Sequence, residues 1–185
     1  ATVLPKILKN LTALYHVSEI HTWGDKLVTE SAVSFNEILD WRPMLSEMRL
    51  IKSPNEIRLM QQAGQITALG HIKAMQTTHP NRFEYEIESD ILHEFNRHCA
   101  RFPSYNSIVA GGSNACILHY TENDRPLNDG DLVLIDAGCE FAMYAGDITR
   151  TFPVNGKFSQ PQREIYDLVL KAQKRAIELL VPGNS

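Results

Sequence analysis

A chain of 185 residues, 43% hydrophobic and 22% charged, is long enough to bury a core without staples, and its composition excludes disordered, collagen-like and repeat architectures. Eighteen basic against 22 acidic side chains leave a net charge of −4, which argues against nucleic-acid binding driven by phosphate neutralisation. No apolar run approaches the ~18 residues of a membrane span, and residues 1–8 lack the apolar core of a secretory signal. Cys99, Cys116 and Cys139 are odd in number and show no CxxC spacing. A disulfide framework or thiolate zinc site is not expected, and three reduced, semi-buried cysteines fit a cytoplasmic protein.

Residues 1–47 read as the end of an N-terminal α/β domain and a linker, with the boundary marked by Trp41-Arg42-Pro43, because the residue before proline is pushed out of the helical region. Residues 48–185 read as one α+β unit. Ser53-Pro54-Asn55-Glu56 is a capping-box helix start. Leu59, Ala63, Ile66, Leu69 and Ile72 then recur at helical spacing, and His79-Pro80-Asn81 closes the segment. A second helix is expected over 84–99, with Ile87, Ile91, Phe95 and Cys99 on one face. Beyond Pro103 the period shortens. Strands are expected at 107–110, stopped by Gly111-Gly112, at 117–120, at 132–135 running into Asp136, and at 147–154. A final helix spans 160–180, with Ile165, Leu168, Val169, Ala172, Ala176 and Leu179 as its apolar set.

Asp136 ends an apolar strand, where a carboxylate needs a partner, a metal or a proton. Were the following hairpin to turn between Phe141 and Ala142, Asp136 and Asp147 would face each other, roughly 4.5–5.5 Å apart at Cβ. Two carboxylates that close repel unless a cation lies between them, and oxygen ligands suit ions such as manganese. The spacing equally permits Asp147 as a turn residue after Gly146 and Asp136 as a backbone cap. His119, after a Gly/Ser/Asn-rich segment, has the chemistry to bind metal, move protons or donate to an oxyanion; a packed structural histidine is the competing reading. The other six histidines read as structural or solvated. Gly111-Gly112-Ser113-Asn114 lacks the flanks of a phosphate loop, and no Gly-x-Ser-x-Gly elbow occurs.

LVLIDAG at 132–138 followed by YAGDITRTFPV at 144–154 resembles the pita-bread metallopeptidases. ILHYTEN at 117–123, FPSYNSIV at 102–109, EFNRH at 94–98 and SPNE at 53–56 narrow the resemblance to the Xaa-Pro aminopeptidase (aminopeptidase P) family. It covers residues 41–185 well and 1–40 weakly. It implies the first half of a pita-bread catalytic domain that releases the residue before proline from proline-containing peptides. Two divalent ions, most often Mn2+, would activate a water. By resemblance Asp136 is a terminal ligand of one ion and Asp147 bridges both, His119 binds substrate and stabilises the tetrahedral intermediate, and Tyr105 and Asn106 line the site. Thr149 and Arg150 would support the aspartate strand. The family's remaining ligands, a histidine and two glutamates, have no counterpart in these motifs, since Glu140, Glu164 and Glu178 lie outside them. An internal fragment of a longer enzyme is therefore expected, weakly active or inactive alone, with an exposed half-core that favours a homo-oligomer. Prolidase activity on Xaa-Pro dipeptides and a non-catalytic pita-bread binding module are the alternatives.

Overall fold

The computed structural model describes residues 11, 13–16, 25–26 and 37–184. The chain divides into two compact units, Ala1–Ser53 and Pro54–Ser185. In the first, strands β1 (Ala13–Tyr15) and β2 (Glu37–Leu39) pair in parallel, with Leu14 opposite Ile38. Helix α1 (Arg42–Leu50) follows. Trp41-Arg42-Pro43 opens this helix instead of separating elements. Pro43 lies in the first turn, where its lost N–H has no helical partner to lose, and the Asp40 carboxylate accepts the Arg42 N–H at 2.9 Å.

The second unit begins with two helices, α2 (Pro54–Thr77) and α3 (Glu84–Arg97), and continues with β3 (Phe102–Pro103) and β4 (Ile108–Gly111). A 3-10 turn (Gly112–Cys116) precedes β5 (Leu132–Ala137), β6 (Cys139–Phe141), β7 (Tyr144–Ala145), β8 (Ile148–Pro153) and the final helix α4 (Gln160–Leu179). Two antiparallel sheets result, in the orders β4-β5-β8 and β3-β6-β7. This is the α+β arrangement the sequence predicts.

Strand alternation sorts the side chains of β4 and β5. Val109, Val133, Ile135 and Ala137 point to the face covered by α2 and α3, where they join Ala63, Ala74, Ile87, Ile91 and Phe95 in the main core. Ile108, Ala110 and Leu134 occupy the other face with Tyr120. Asp136 shares that second face, one alternation beyond Leu134, with Ile108 beside it on β4.

Three elements depart from expectation. First, α2 buries Ala63, Ile66, Thr67, Gly70, His71 and Ala74, while Leu69 and Ile72 are 39% and 48% exposed. Small and polar residues form its inner stripe because the helix approaches the sheet closely: Thr67 Oγ1 accepts the Cys139 N–H at 3.1 Å, and the Cys139 thiol donates to the Ala63 carbonyl. Second, residues 117–120 form no strand, and His119 has left-handed backbone at φ 56°. Third, α3 ends at Arg97. Cys99 then takes φ 65° and is exposed, and Ala100 fills the core position in its place. Cys116 is exposed as well and Cys139 is buried, so none of the three is semi-buried.

Candidate metal centre

The segment between β5 and β8 sets the site. Strands β6 and β7 form a hairpin in which Phe141 pairs with Tyr144 across a two-residue turn. Ala142 and Met143 both have positive φ, 50° and 71°, as a type I′ turn requires. The turn is therefore centred one residue later than the spacing suggested. Asp136 pairs with Thr149, not Asp147. The shift leaves Asp147 just before β8, outside the ladder, so the two aspartates are not direct cross-strand neighbours.

Two glycines permit the break in the ladder that brings the carboxylates together. A Cβ on Gly138 would lie 1.8 Å from the Gly146 carbonyl oxygen, and one on Gly146 would lie 2.1 Å from Thr67 Oγ1. Only glycine fits where these two backbones cross under α2. Ser104 ties the crossing from the third side: its N–H donates to the Gly138 carbonyl at 2.9 Å and its hydroxyl to the Gly146 carbonyl at 2.8 Å. From α2, His71 Nε2 donates to the Ala137 carbonyl at 3.1 Å. Burial holds that imidazole below the usual histidine range, so it stays neutral.

Fixing Ser104 fixes Tyr105. Its hydroxyl lies 2.6 Å from Asp136 Oδ1 and 2.9 Å from Asp147 Oδ1. Burial, and then the two carboxylates, push the phenol far above its ordinary value, so it remains a donor. A single hydroxyl hydrogen serves only one carboxylate oxygen at a time. One of the two carboxylates is thus left without that hydrogen, and this oxygen-only pair fits a hard divalent cation. Tyr105, Asn106, Ile108, His119, Thr121, Asp136 and Asp147 line one open pocket of about 360 Å3.

Tyr105, Asn106, His119, Asp136 and Asp147, all singled out from the sequence, thus meet in one place. Arg150 does not join them; its guanidinium donates to the Thr149 carbonyl. Read from the sequence, Ser104 has no role and Gly146 is only part of a turn, although two glycines each within two residues of a suspect aspartate are a readable sign of crowding. Among the described residues no group of three or more histidines, cysteines, aspartates or glutamates is placed to hold a metal ion. The described part of the site is a carboxylate pair and its supports.

Residues 58–185 match the model of metallopeptidase family M24. The whole chain is 96% identical to a Xaa-Pro aminopeptidase of Haemophilus influenzae and covers 43% of it. Among solved structures, aminopeptidase P of Escherichia coli in complex with substrate superposes with a TM-score of 0.94 at 50% identity, over 98% of this chain and 44% of that one. A zinc-substituted form of the E. coli protein in complex with product matches with the same score and coverage. The described fold is thus that of part of a pita-bread protein, and the chain spans less than half the length of the curated relatives it matches.

Proposed function

The chain belongs to metallopeptidase family M24, and from that premise we propose that it carries the aspartate half of the metal centre of a Xaa-Pro aminopeptidase. The observation that carries this reading is the Tyr105 hydroxyl held between Asp136 and Asp147 in the pocket that His119 borders. Asp136 and Asp147 would hold divalent ions, Mn2+ in our reading. When bound, such ions lower the pKa of a water and polarise the scissile carbonyl.

The chain's own groups do the rest. Tyr105 donates to the carboxylates and fixes which oxygens face the pocket, while its ring borders the space a proline-containing peptide would enter. His119 borders the same space, where its ring would bind the substrate carbonyl and stabilise the oxygen that becomes negative in the transition state. Ile108 supplies an apolar wall. We place the protein in the cytoplasm, consistent with three free cysteines and with the finding that no helix among the described residues is long and apolar enough to cross a membrane.

Two carboxylates alone hold an ion weakly, so the 185-residue chain is proposed to turn over little or no substrate by itself. The test is hydrolysis of a Xaa-Pro tripeptide with added Mn2+, by this chain and by a full-length protein that carries it. Turnover by the full-length protein, with loss of about a thousandfold in Asp147→Asn, is the expected result. Robust turnover by the 185 residues alone would overturn the half-site reading. Preference for the dipeptide over the tripeptide would make the enzyme a prolidase. Full-length protein with no bound metal would make it a binding module.

A further inference from the structure

We infer that Glu84, a buried carboxylate remote from the aspartate pair, is a positioning residue for His119; this rests on the role proposed above for that histidine. Glu84 is the first residue of α3 and is 0% exposed. Among the described residues no cation pairs with it. Instead Oε1 accepts the Gly111 N–H at 2.8 Å and the Asn114 side-chain amide at 3.0 Å. Oε2 accepts the Tyr120 hydroxyl at 2.7 Å and the Arg125 N–H at 3.0 Å. The two oxygens each take two donors, so the carboxylate's acceptor capacity is filled, and the N-terminus of α3 favours its charge.

The placement of those donors assigns the role. Gly111 and Arg125 bracket the connection that carries His119, and Asn114 and Tyr120 lie within it. The connection forms no strand, and its backbone at His119 is left-handed. Further contacts hold it: Tyr120 and Ala115 pack with Ile108 and Ala110, Asn114 donates to the Tyr120 hydroxyl, and Asn123 bonds the Val109 N–H, the Ser107 carbonyl and the Glu88 carboxylate. Tyr120 is the immediate neighbour of His119. Burial and the Glu84 carboxylate raise its phenol to about 12, so it stays a donor over the working pH range. Anchoring that hydroxyl inward leaves the next side chain, His119, turned outward into the pocket with Thr121. A neutral core residue at position 84 would leave four donors unpaired and free the loop.

The test is NMR on the 185-residue chain, which needs neither substrate nor metal and so stands or falls apart from the peptidase reading. Tyr120→Phe keeps the ring packed and removes one donor. Glu84→Gln removes the charge and sets an amide donor against donors. We expect the His119 ring cross-peak to shift or broaden in both variants while the buried His71 and the α3 His93 peaks hold. Amide exchange at 113–122 should rise by at least about tenfold relative to β5, more in Glu84→Gln. Unchanged His119 signals and exchange in Tyr120→Phe would overturn the inference. So would loosening spread evenly over β4, β5 and β8, the mark of a merely structural carboxylate. Should Glu84→Gln fail to fold, Tyr120→Phe decides.

Discussion

Tyr105 is the residue on which the site turns. One phenol serves two carboxylates, and both contacts vanish in Tyr105→Phe without loss of the ring. Outer groups that orient metal-binding carboxylates typically carry about 10–100-fold in metal affinity or activity. Tyr105→Phe in a full-length protein should lose activity in that range at fixed Mn2+ while its thermal unfolding moves little. A peptidase assay beside a melting curve checks both. His71 makes a separate prediction. Its folded-state pKa is depressed by burial, and Arg150 lowers it further against the opposing pull of Asp136 and of the Ala137 and Ile148 carbonyls. As pH falls below about 6.5 the unfolded chain takes up a proton that the folded one refuses. Stability is therefore lost toward acid, by up to about 1.4 kcal/mol per pH unit, until the lowered pKa is reached. Urea unfolding at pH 7.5 and pH 5.5 should show a shallower loss in His71→Gln, and an identical slope would assign the acid sensitivity to other groups. At this scale the aspartates, His119 and Tyr105 were legible because their motifs are specific. Ser104 and Glu84 were not, because a small polar residue and a helix-start glutamate look like surface until the donors around them are seen.

At the scale of elements, the β6–β7 hairpin determines where Asp147 stands. Counting along the strands found the hairpin but placed its centre one residue early, because the true turn uses Ala142 and Met143, neither of which advertises positive φ. Asn-Gly is the pair that a type I′ turn prefers. The double substitution Ala142→Asn, Met143→Gly should stabilise the chain by roughly 1 kcal/mol and leave the register intact; destabilisation in a urea melt would contradict the turn assignment. Helix α2 was misread for a different reason. Leu69 and Ile72 fall on a helical stripe with Ala63 and Ile66, but α2 meets Gly146 through Ala63 and Thr67, and Phe95 and Ile91 of α3 press on Gly70, so the inner positions there are small. Periodicity finds an apolar stripe; it does not report how near the neighbour comes.

On the scale of the molecule, the final helix stands open. α4 buries none of its residues, and Leu168, Val169 and Ile177 are each at least 60% exposed. The apolar set read from the sequence lies open: Ile165, Leu168 and Val169 are each more than 60% exposed. Exposed apolar patches of this kind drive association, so the purified chain should self-associate with rising concentration. Leu168→Lys with Val169→Glu should reduce that in sedimentation velocity, and a clean monomer at high concentration would count against it. The α+β class and the strand–helix order were legible, since they follow from periodicity and turn residues. The burial of α4 was not, since an amphipathic pattern does not say what covers it.

Mn2+ binding to the 185-residue chain, followed by the loss of the free-ion electron paramagnetic resonance signal, reaches the carboxylate pair most directly. Two carboxylates steadied by Tyr105 should bind Mn2+ weakly, with Kd on the order of a millimolar. The double variant Asp136→Asn, Asp147→Asn should abolish that binding, and Glu164→Gln on α4 should not affect it. Binding of equal strength in the double variant would contradict the assignment of this pocket as the metal centre.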